Sequence, residues 1–389
     1  MNTNKTLFSL FLIAQNGPIS GDHQSNICIH RSIFNRLISP VFFGFRSISL
    51  TNVRFSSFLA SPILKNSIDV STNIYTRILY QDSIVKITKC AFFNGQSSGI
   101  TVSGEKSELI ITESSFIGIK ATERTAIVAF SGNKMVFQRC CFLNVQCGLS
   151  LVSGYSNLVD LNNSLALNST IIAYPQSETY LMHFRSSSCK IMFLNNTKAA
   201  FGYKEGIMID VNYATSSNMS FIMISNVSCL CLLEWYSNCN NVYTIEKSCF
   251  LYNSFSAYNL ISLSSESEIQ IYHSVFCQEN DKPIFSLNGI IKLYNCSLSS
   301  SIDARTTIIF DQQTKWNENS RNISNFPTND DSTCVLLAME SKSNFTKYII
   351  IATSSVAIVA ICAFILYPNR KGPKYDDIAD RSEYQIQLP

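Results

Sequence analysis

Residues 85–92, 109–116 and 135–142 read VKITKCAF, LIITESSF and MVFQRCCF. All three state one pattern: apolar, x, apolar, x, x, small, x, Phe. Between and after them lie SGITVSG at 98–104, TAIVAFSG at 125–132 and GLSLVSG at 148–154. Alternating apolar positions predict short strands, and Ser-Gly pairs predict turns. A unit restated at this distance predicts a repeat architecture.

The closing Phe serves as an anchor, and the same frame recurs outside the central stretch. Earlier copies are Ile27, Ile29, Ser32, Phe34 and Ile48, Leu50, Val53, Phe55. Later ones are Val159, Leu161, Ser164, Ala166; Met192, Leu194, Thr197, Ala199; and Ile222, Ile224, Val227, Cys229. The last three close on Phe250, Phe276 and Leu298. That makes eleven copies over residues 27–298.

Parity within the unit predicts a bend. The two apolar positions face one way on a strand, and so do the small residue and the anchor. The step between the pairs is odd, so a straight strand cannot bury all four. A two-residue corner is expected at Thr88-Lys89, Thr112-Glu113, Gln138-Arg139 and Tyr294-Asn295. A further apolar stretch follows each anchor, such as Ile100/Val102 or Ile207/Ile209/Val211. Three short strands per unit predict one coil of a right-handed parallel β-helix, with about eleven coils in all. At about 4.8 Å per coil the rod would be near 50 Å long. A leucine-rich repeat has a similar period, but its Leu-x-x-Leu-x-Leu frame is missing. A sandwich would not hold one frame through so many copies.

Both ends change the picture. Residues 1–14 carry Lys5, the apolar run 7–14 and then polar residues, the form of a secretory signal peptide at 1–16. A buried first strand is the other reading of that run. Residues 348–367 hold no charge and suffice for one membrane-spanning helix. Lys347 precedes them, Arg370 and Lys371 follow, and Tyr348 and Tyr367 stand at the interfaces. The expected order is signal peptide 1–16, β-helical ectodomain 17–315, stalk or cap 316–347, transmembrane helix 348–367 and cytoplasmic tail 368–389. The short apolar run 335–339 could cover the last coil. This is a single-pass type I protein of the plasma membrane with its ectodomain outside.

Net charge is +3, and no Lys/Arg cluster stands out, so nucleic-acid binding has no support. Asn-x-Ser/Thr sequons at Asn162, Asn168, Asn195, Asn218, Asn226, Asn295, Asn322 and Asn344 are glycosylation candidates. In the tail, Tyr375-Asp376-Asp377-Ile378 fits the tyrosine-x-x-bulky-apolar pattern read by endocytic adaptors, with Tyr375 and Ile378 as its contacts.

Phe250-Leu251-Tyr252-Asn253 matches the motif Phe-x-x-Asn, and Ser98-Gly99-Ile100 and Gly206-Ile207 are degenerate forms of Gly-Gly-Ala/Leu/Val-Ile. With a β-helix and one membrane span, these resemble the polymorphic outer membrane protein-like surface proteins of parasitic protists, of trichomonad type. The resemblance implies a surface-exposed protein with an adhesive or antigenic role, and no catalytic residues. The span stands where the bacterial members carry a barrel.

Carbohydrate-active β-helix enzymes are the rival class. Glycosidases need two opposed carboxylates. Ectodomain Asp residues such as Asp160, Asp210, Asp281, Asp303 and Asp311 are scattered, and Asp160 and Asp210 are expected to be solvated outward charges some two coils apart. No Asn-Thr-Asp or Gly-His-Gly occurs. His23, His30, His183 and His273 lack metal-ligand spacing and read as corner or surface residues. No catalytic, cofactor-binding or metal residue is assigned. Of 14 cysteines, Cys90, Cys140 and Cys296 fill the small slot and Cys229 an anchor slot. Cys141, Cys249 and Cys277 stand outward and could pair, as could Cys231 with Cys239.

The expected function is therefore a rod presented for adhesion to a host or other extracellular surface, protein or glycan. A membrane-tethered polysaccharide lyase or glycoside hydrolase is the alternative, and a structural coat protein the second. Loops are expected at 59–81, 173–178, 200–204 and 212–218, where Tyr174, Tyr203 and Tyr213 are the ligand-contact candidates. Two or more carboxylates on one face of adjacent coils would favour the enzyme. A flat flank dotted with aromatics would favour binding.

Overall fold

The computed structural model describes residues 4–8, 11–13, 19–20, 25–37, 42–43, 45–59, 62–65, 83–121, 126–147, 150–167, 170–171, 180–197, 200–201, 207–225, 227–229, 231–236, 241–255, 261–263, 267–277, 285–287, 289–299 and 307–316. The chain divides into two units, Met1–Ser341 and Lys342–Pro389, and every described residue lies in the first. Among them the fold is all-β, a right-handed-type parallel β-solenoid in which every named pairing is parallel.

The first sheet stacks five-residue strands in strict register. Ile48 sits between Ile27 and Val85, and Val85 between Ile48 and Leu109. The ladder continues through Met135, Val159, Cys189, Ser217, Tyr243, Ile269, Ile291 and Ile308. The second sheet stacks the anchors. Phe34, Phe55, Phe92, Phe116 and Phe142 lie ring upon ring, with centroids 5.2, 5.0, 4.8 and 4.9 Å apart. Phe250 and Phe276 form a second stack at 5.1 Å. Those seven buried rings mark about seven turns that carry the full pattern, rather than the expected eleven.

Two frames were misplaced by the sequence pattern. Val159 pairs with Cys189 and Leu161 with Ile191, so the inward pair of that coil is Cys189/Ile191 and not Met192/Leu194. In the next, Ser217 and Met219 point inward, Ile222 takes the small slot and Ile224 the anchor position facing Phe250. Cys229 is buried but lies beyond the anchor, on strand Ser228–Cys229.

The bend is made by one residue, not two. Arg31, Asn52, Lys89, Glu113, Arg139, Phe221, Lys247, His273 and Asn295 all adopt left-handed φ of 47–55°. Each precedes the small slot. Non-glycine residues seldom hold this conformation, which costs about 1–2 kcal/mol. Here the backbone N–H is satisfied by the next coil: Lys89 donates to the Thr112 carbonyl at 3.0 Å, and Glu113 to that of Gln138 at 2.8 Å. A second corner, two residues past the anchor, escaped the sequence reading. Arg36, Ser57, Asn94, Gly118, Asn144 and Tyr252 are left-handed there. Asn and Gly favour that region, so Phe-x-Asn at 92–94 and 142–144 and Phe-x-Gly at 116–118 were the available signal.

The small slot has a hydrogen-bonding reason. Ser114 Oγ donates to the Thr112 carbonyl at 2.9 Å and accepts the Cys90 N–H at 3.1 Å. Ser248 accepts from Ile222 and Ser274 from Ser248 in the same way, at 3.2 and 3.1 Å. A column of hydroxyls thus satisfies buried amides from coil to coil.

Two expected turn pairs are not turns. Gly132 and Gly154 lie inside strands Val128–Gln138 and Val152–Leu167. A Cβ on Gly154 would stand 2.4 Å from Met135 Cε, so this glycine makes room for the core.

At the N-terminal end, Asn4–Phe8 and Phe11–Ile13 pair with Asn26–His30 and Ile33–Asn35. No helix among the described residues is long and apolar enough to cross a membrane. The expected span 348–367 and the expected stalk and tail from 317 onward lie outside the described residues.

Candidate functional site

In the third sheet Met182 and Phe184, Ile209 and Val211, and Leu233 and Trp235 are buried, so the residue between each pair faces outward. Register then stacks Ser153, His183, Asp210, Glu234 and Ser262 in one outward column. Neighbouring coils stand about 4.8 Å apart. Beside that column run Tyr155, Arg185 and Asn212.

These side chains engage each other. His183 Nδ1 lies 2.5 Å from Asp210 Oδ2, and Asn212 Nδ2 donates to the same oxygen at 2.8 Å. Asp210 is only 2% exposed. The Tyr155 ring meets His183 edge to face, with centroids 5.7 Å apart. The Arg185 guanidinium lies 4.5 Å from the Tyr213 ring centroid, a contact worth about 0.5–1 kcal/mol at exposed sites. Just inside, burial raises the Cys231 thiol pKa, and the charges of Glu234 and then Asp210 raise it further.

Two expectations are corrected here. Asp210 was expected as a solvated charge, yet His183 and Asn212 occupy its carboxylate and it is buried. His183 was expected at a corner or the surface, yet it is half-buried on a strand. Outward on a solenoid strand does not mean exposed, because side chains of the coils above and below close over the position. Asp160 belongs to a different sheet, beside Lys190, and not to the Asp210 column.

Chemically, a buried carboxylate that holds an imidazole through Nδ1 is the arrangement that orients a general base. Asp210 and Glu234 also meet the two-carboxylate condition on adjacent coils. No group of three or more His, Cys, Asp and Glu suited to a metal gathers among the described residues.

A second patch lies on the first sheet. The outward positions of strands Glu268–Tyr272 and Ile290–Tyr294 are Glu268, Gln270, Tyr272, Ile290, Lys292 and Tyr294. The rings of Tyr272 and Tyr294 are stacked at 4.7 Å and 9°. Tyr272 Oη donates to Gln270 Oε1 at 2.7 Å, and Gln270 Nε2 donates to Glu268 Oε1 at 2.6 Å. Lys292 Nζ stands 2.8 Å from Glu268 Oε2. The Lys292 contact, above all, and that of Gln270 hold the Glu268 carboxyl below its usual pKa, while Glu268 raises that of Lys292.

Among the predicted contact residues, Tyr213 is exposed at a left-handed corner, whereas Tyr174 and Tyr203 lie outside the described residues. Residues 212–218 are no loop. They hold that corner and the start of strand Ser216–Ser220. Ala200–Phe201 is a strand as well. Of the sequons, Asn218 faces outward and is exposed, and Asn295 occupies a corner. Asn162 and Asn195 lie within strands. Asn168, Asn226, Asn322 and Asn344 fall outside the described residues, as do Tyr375 and Ile378.

Cys90, Cys140 and Cys296 are buried in the slot as expected. Cys141 is disulfide-bonded, though buried. Cys249 and Cys277 are unpaired with each other, and Cys249 is buried. The Cys231 thiol points into the core and donates to the Leu233 carbonyl at 3.0 Å, which removes the expected bond to Cys239.

Asn253 of the Phe-x-x-Asn motif is buried. Its side chain accepts the Val227 N–H at 3.1 Å and donates to the Ile224 carbonyl at 3.0 Å. That tie is internal and presents nothing to a ligand.

Compared with protein-family models, curated proteins and solved structures, the chain matches none.

Proposed function

We propose that the chain is a cell-surface protein whose solenoid forms a rod for adhesion, carried on one C-terminal membrane span. The observation that supports binding is the flat flank around Tyr272 and Tyr294, where aromatic and hydrogen-bonding side chains alternate on rigid strands. The 1–16 leader, the 348–367 span and the Phe-x-x-Asn resemblance to trichomonad-type surface proteins supply the rest of the reading. On this view the ectodomain faces outward, the sequons carry glycans and the tail engages an endocytic adaptor. The test is the binding of purified full-length protein in detergent to intact target cells, together with antibody labelling of ectodomain and tail. Saturable binding supports adhesion. Absence of binding to every cell type would leave a structural coat. Tail epitopes reached without permeabilisation would overturn the topology.

A second reading is a polysaccharide lyase or hydrolase. It is favoured by Asp210 and Glu234, one coil apart on the same face, with His183 held by Asp210. The protein would release reducing ends or unsaturated products from a polysaccharide, and Glu234→Gln would abolish the release. No product from acidic or neutral polymers would end this reading.

A further inference from the structure

We infer that the outward face of strands Glu268–Tyr272 and Ile290–Tyr294 binds a neutral glycan chain, an inference that rests on the surface-binding reading.

The coil register holds the two tyrosine rings parallel, one coil apart. They need little ordering on binding, and preorganisation of that kind removes much of the cost of association. Tyrosine offers an apolar ring and a polar tip together. Around the rings, hydrogen-bonding groups are already fixed in a chain from Tyr272 through Gln270 and Glu268 to Lys292. A sugar presents a similar mixture, C–H faces for the rings and hydroxyls for the carboxylate, amide and ammonium.

Charge selects the class further. The carboxylate of Glu268 and the ammonium of Lys292 neutralise each other at 2.8 Å. The patch therefore offers no excess positive charge to a polyanion or an acidic lipid surface, and both would need one. Its apolar elements are few: Val242, Ile290 and Ile309 are exposed, but Glu268 stands between Val242 and Ile290, and Ile309 is stacked under Lys292. A protein interface has a fully buried apolar core depleted of charge, and this grid has none. Strand faces in register also place Tyr272 and Tyr294 at equivalent positions of consecutive coils, one coil step apart along the stack.

The experiment passes full-length protein in detergent over beads carrying a neutral glucan or a neutral mannan, with polygalacturonate and bare beads as comparisons. Wild-type protein is expected to be retained on a neutral polymer and not on polygalacturonate. Tyr272→Ala/Tyr294→Ala should lower that affinity about 10-fold or more, the scale of a lost aromatic hot spot. Tyr294→Phe keeps the stacked ring and should stay within about 3-fold, while an unchanged unfolding midpoint shows that the fold is intact. Retention on neither neutral polymer, equal retention of the double variant, or preference for polygalacturonate would overturn the inference. Cell binding measured in parallel separates the two levels. Persistence of cell binding in the double variant sinks the glycan flank and leaves the adhesion reading standing. Absence of cell binding by wild-type protein removes the adhesion reading, and the bead comparison then decides the glycan flank.

Discussion

Ser114 Oγ accepts the backbone N–H of Cys90 from the preceding coil while donating to the Thr112 carbonyl. One hydroxyl therefore serves two backbone groups in the core. Ser114→Ala orphans a buried amide and should cost about 1–3 kcal/mol. Ser114→Cys should cost less, since Cys90, Cys140 and Cys296 occupy the same slot. Urea midpoints of the two variants check the order. Equal midpoints for Ser114→Ala and wild type would show that the hydroxyl column is not stabilising.

Lys89 holds a left-handed corner at φ 54°. Lys89→Gly should be neutral or stabilising by up to about 1 kcal/mol, because glycine relieves the strain and forfeits only a surface ion pair with Glu113. Lys89→Val should destabilise by about 1–2 kcal/mol, because a β-branched residue resists positive φ. Thermal unfolding of the pair gives the comparison. A valine variant as stable as the glycine one would mean that the corner relaxes.

Asp210→Ala would leave the half-buried His183 and Asn212 without their shared acceptor. The expected loss is about 2–4 kcal/mol, in the range for breaking a buried polar pair. Asp210→Asn keeps the shape and one acceptor oxygen, so it should lose less. Denaturant titration decides the matter, and an Ala variant with unchanged stability would mean that the dyad is not part of what holds the third sheet.

The pH dependence should lie on the alkaline side. Burial pushes the Cys90, Cys140 and Cys189 thiols up to about 12, with the Asp160 charge adding to the effect at Cys189. In the unfolded chain a thiol titrates near 8.5. The folded pKa is raised, so the stability is whole below about pH 8.5 and is lost as pH climbs towards 12. Each thiol can contribute at most ~5 kcal/mol to that fall, the roughly 3.5 pH units between 8.5 and 12 at 1.36 kcal/mol each. Cys90→Ser/Cys140→Ser should flatten the decline in urea midpoint between pH 9 and 12. An equally steep decline in the double variant would assign it to other groups.

The N-terminal strands carry a simple test of the leader. Residues 4–8 and 11–13 complete the first coil over Asn26–His30 and Ile33–Asn35. Amino-terminal sequencing of protein from the cell surface should begin near residue 17 if the leader is removed. A mature chain that keeps residues 4–13 would make them a structural coil.

Much of this fold was written in the sequence wherever Phe closed the unit. Ring stacks impose one residue type at one position, so Phe92, Phe116 and Phe142 announced their coils. The frame slipped where inward positions held Cys189, Ser217 and Met219, because Met192 and Leu194 satisfy the same spacing three residues later. Corners were half legible: parity demanded a bend at Lys89, but nothing in a lysine advertises positive φ. The His183–Asp210 contact was the least visible. Its partners are 27 residues apart and meet only because one coil lies on the next. Met182-His183-Phe184 and Ile209-Asp210-Val211 are matching triplets, and aligning them by coil would have stacked the imidazole on the carboxylate. Tyr272 and Tyr294 likewise stand four residues before Phe276 and Leu298, one frame position in consecutive coils.

The paired corners also govern how the protein can change. From the first strand to the second corner, spacing is fixed: Lys89 to Asn94 matches Glu113 to Gly118 and Arg139 to Asn144. Past the second corner the number of residues varies from coil to coil: 18 separate Lys65 from Ile84, against three between Phe43 and Ser47. Growth of the chain is therefore channelled to the two stretches that flank the third-sheet strand, as Asn94 to Ile100 beside Gly118 to Val128 shows for the first of them. New segments can be gained, lost or exchanged there without moving a single rung, so the same scaffold can alter what it displays while its core stays constant.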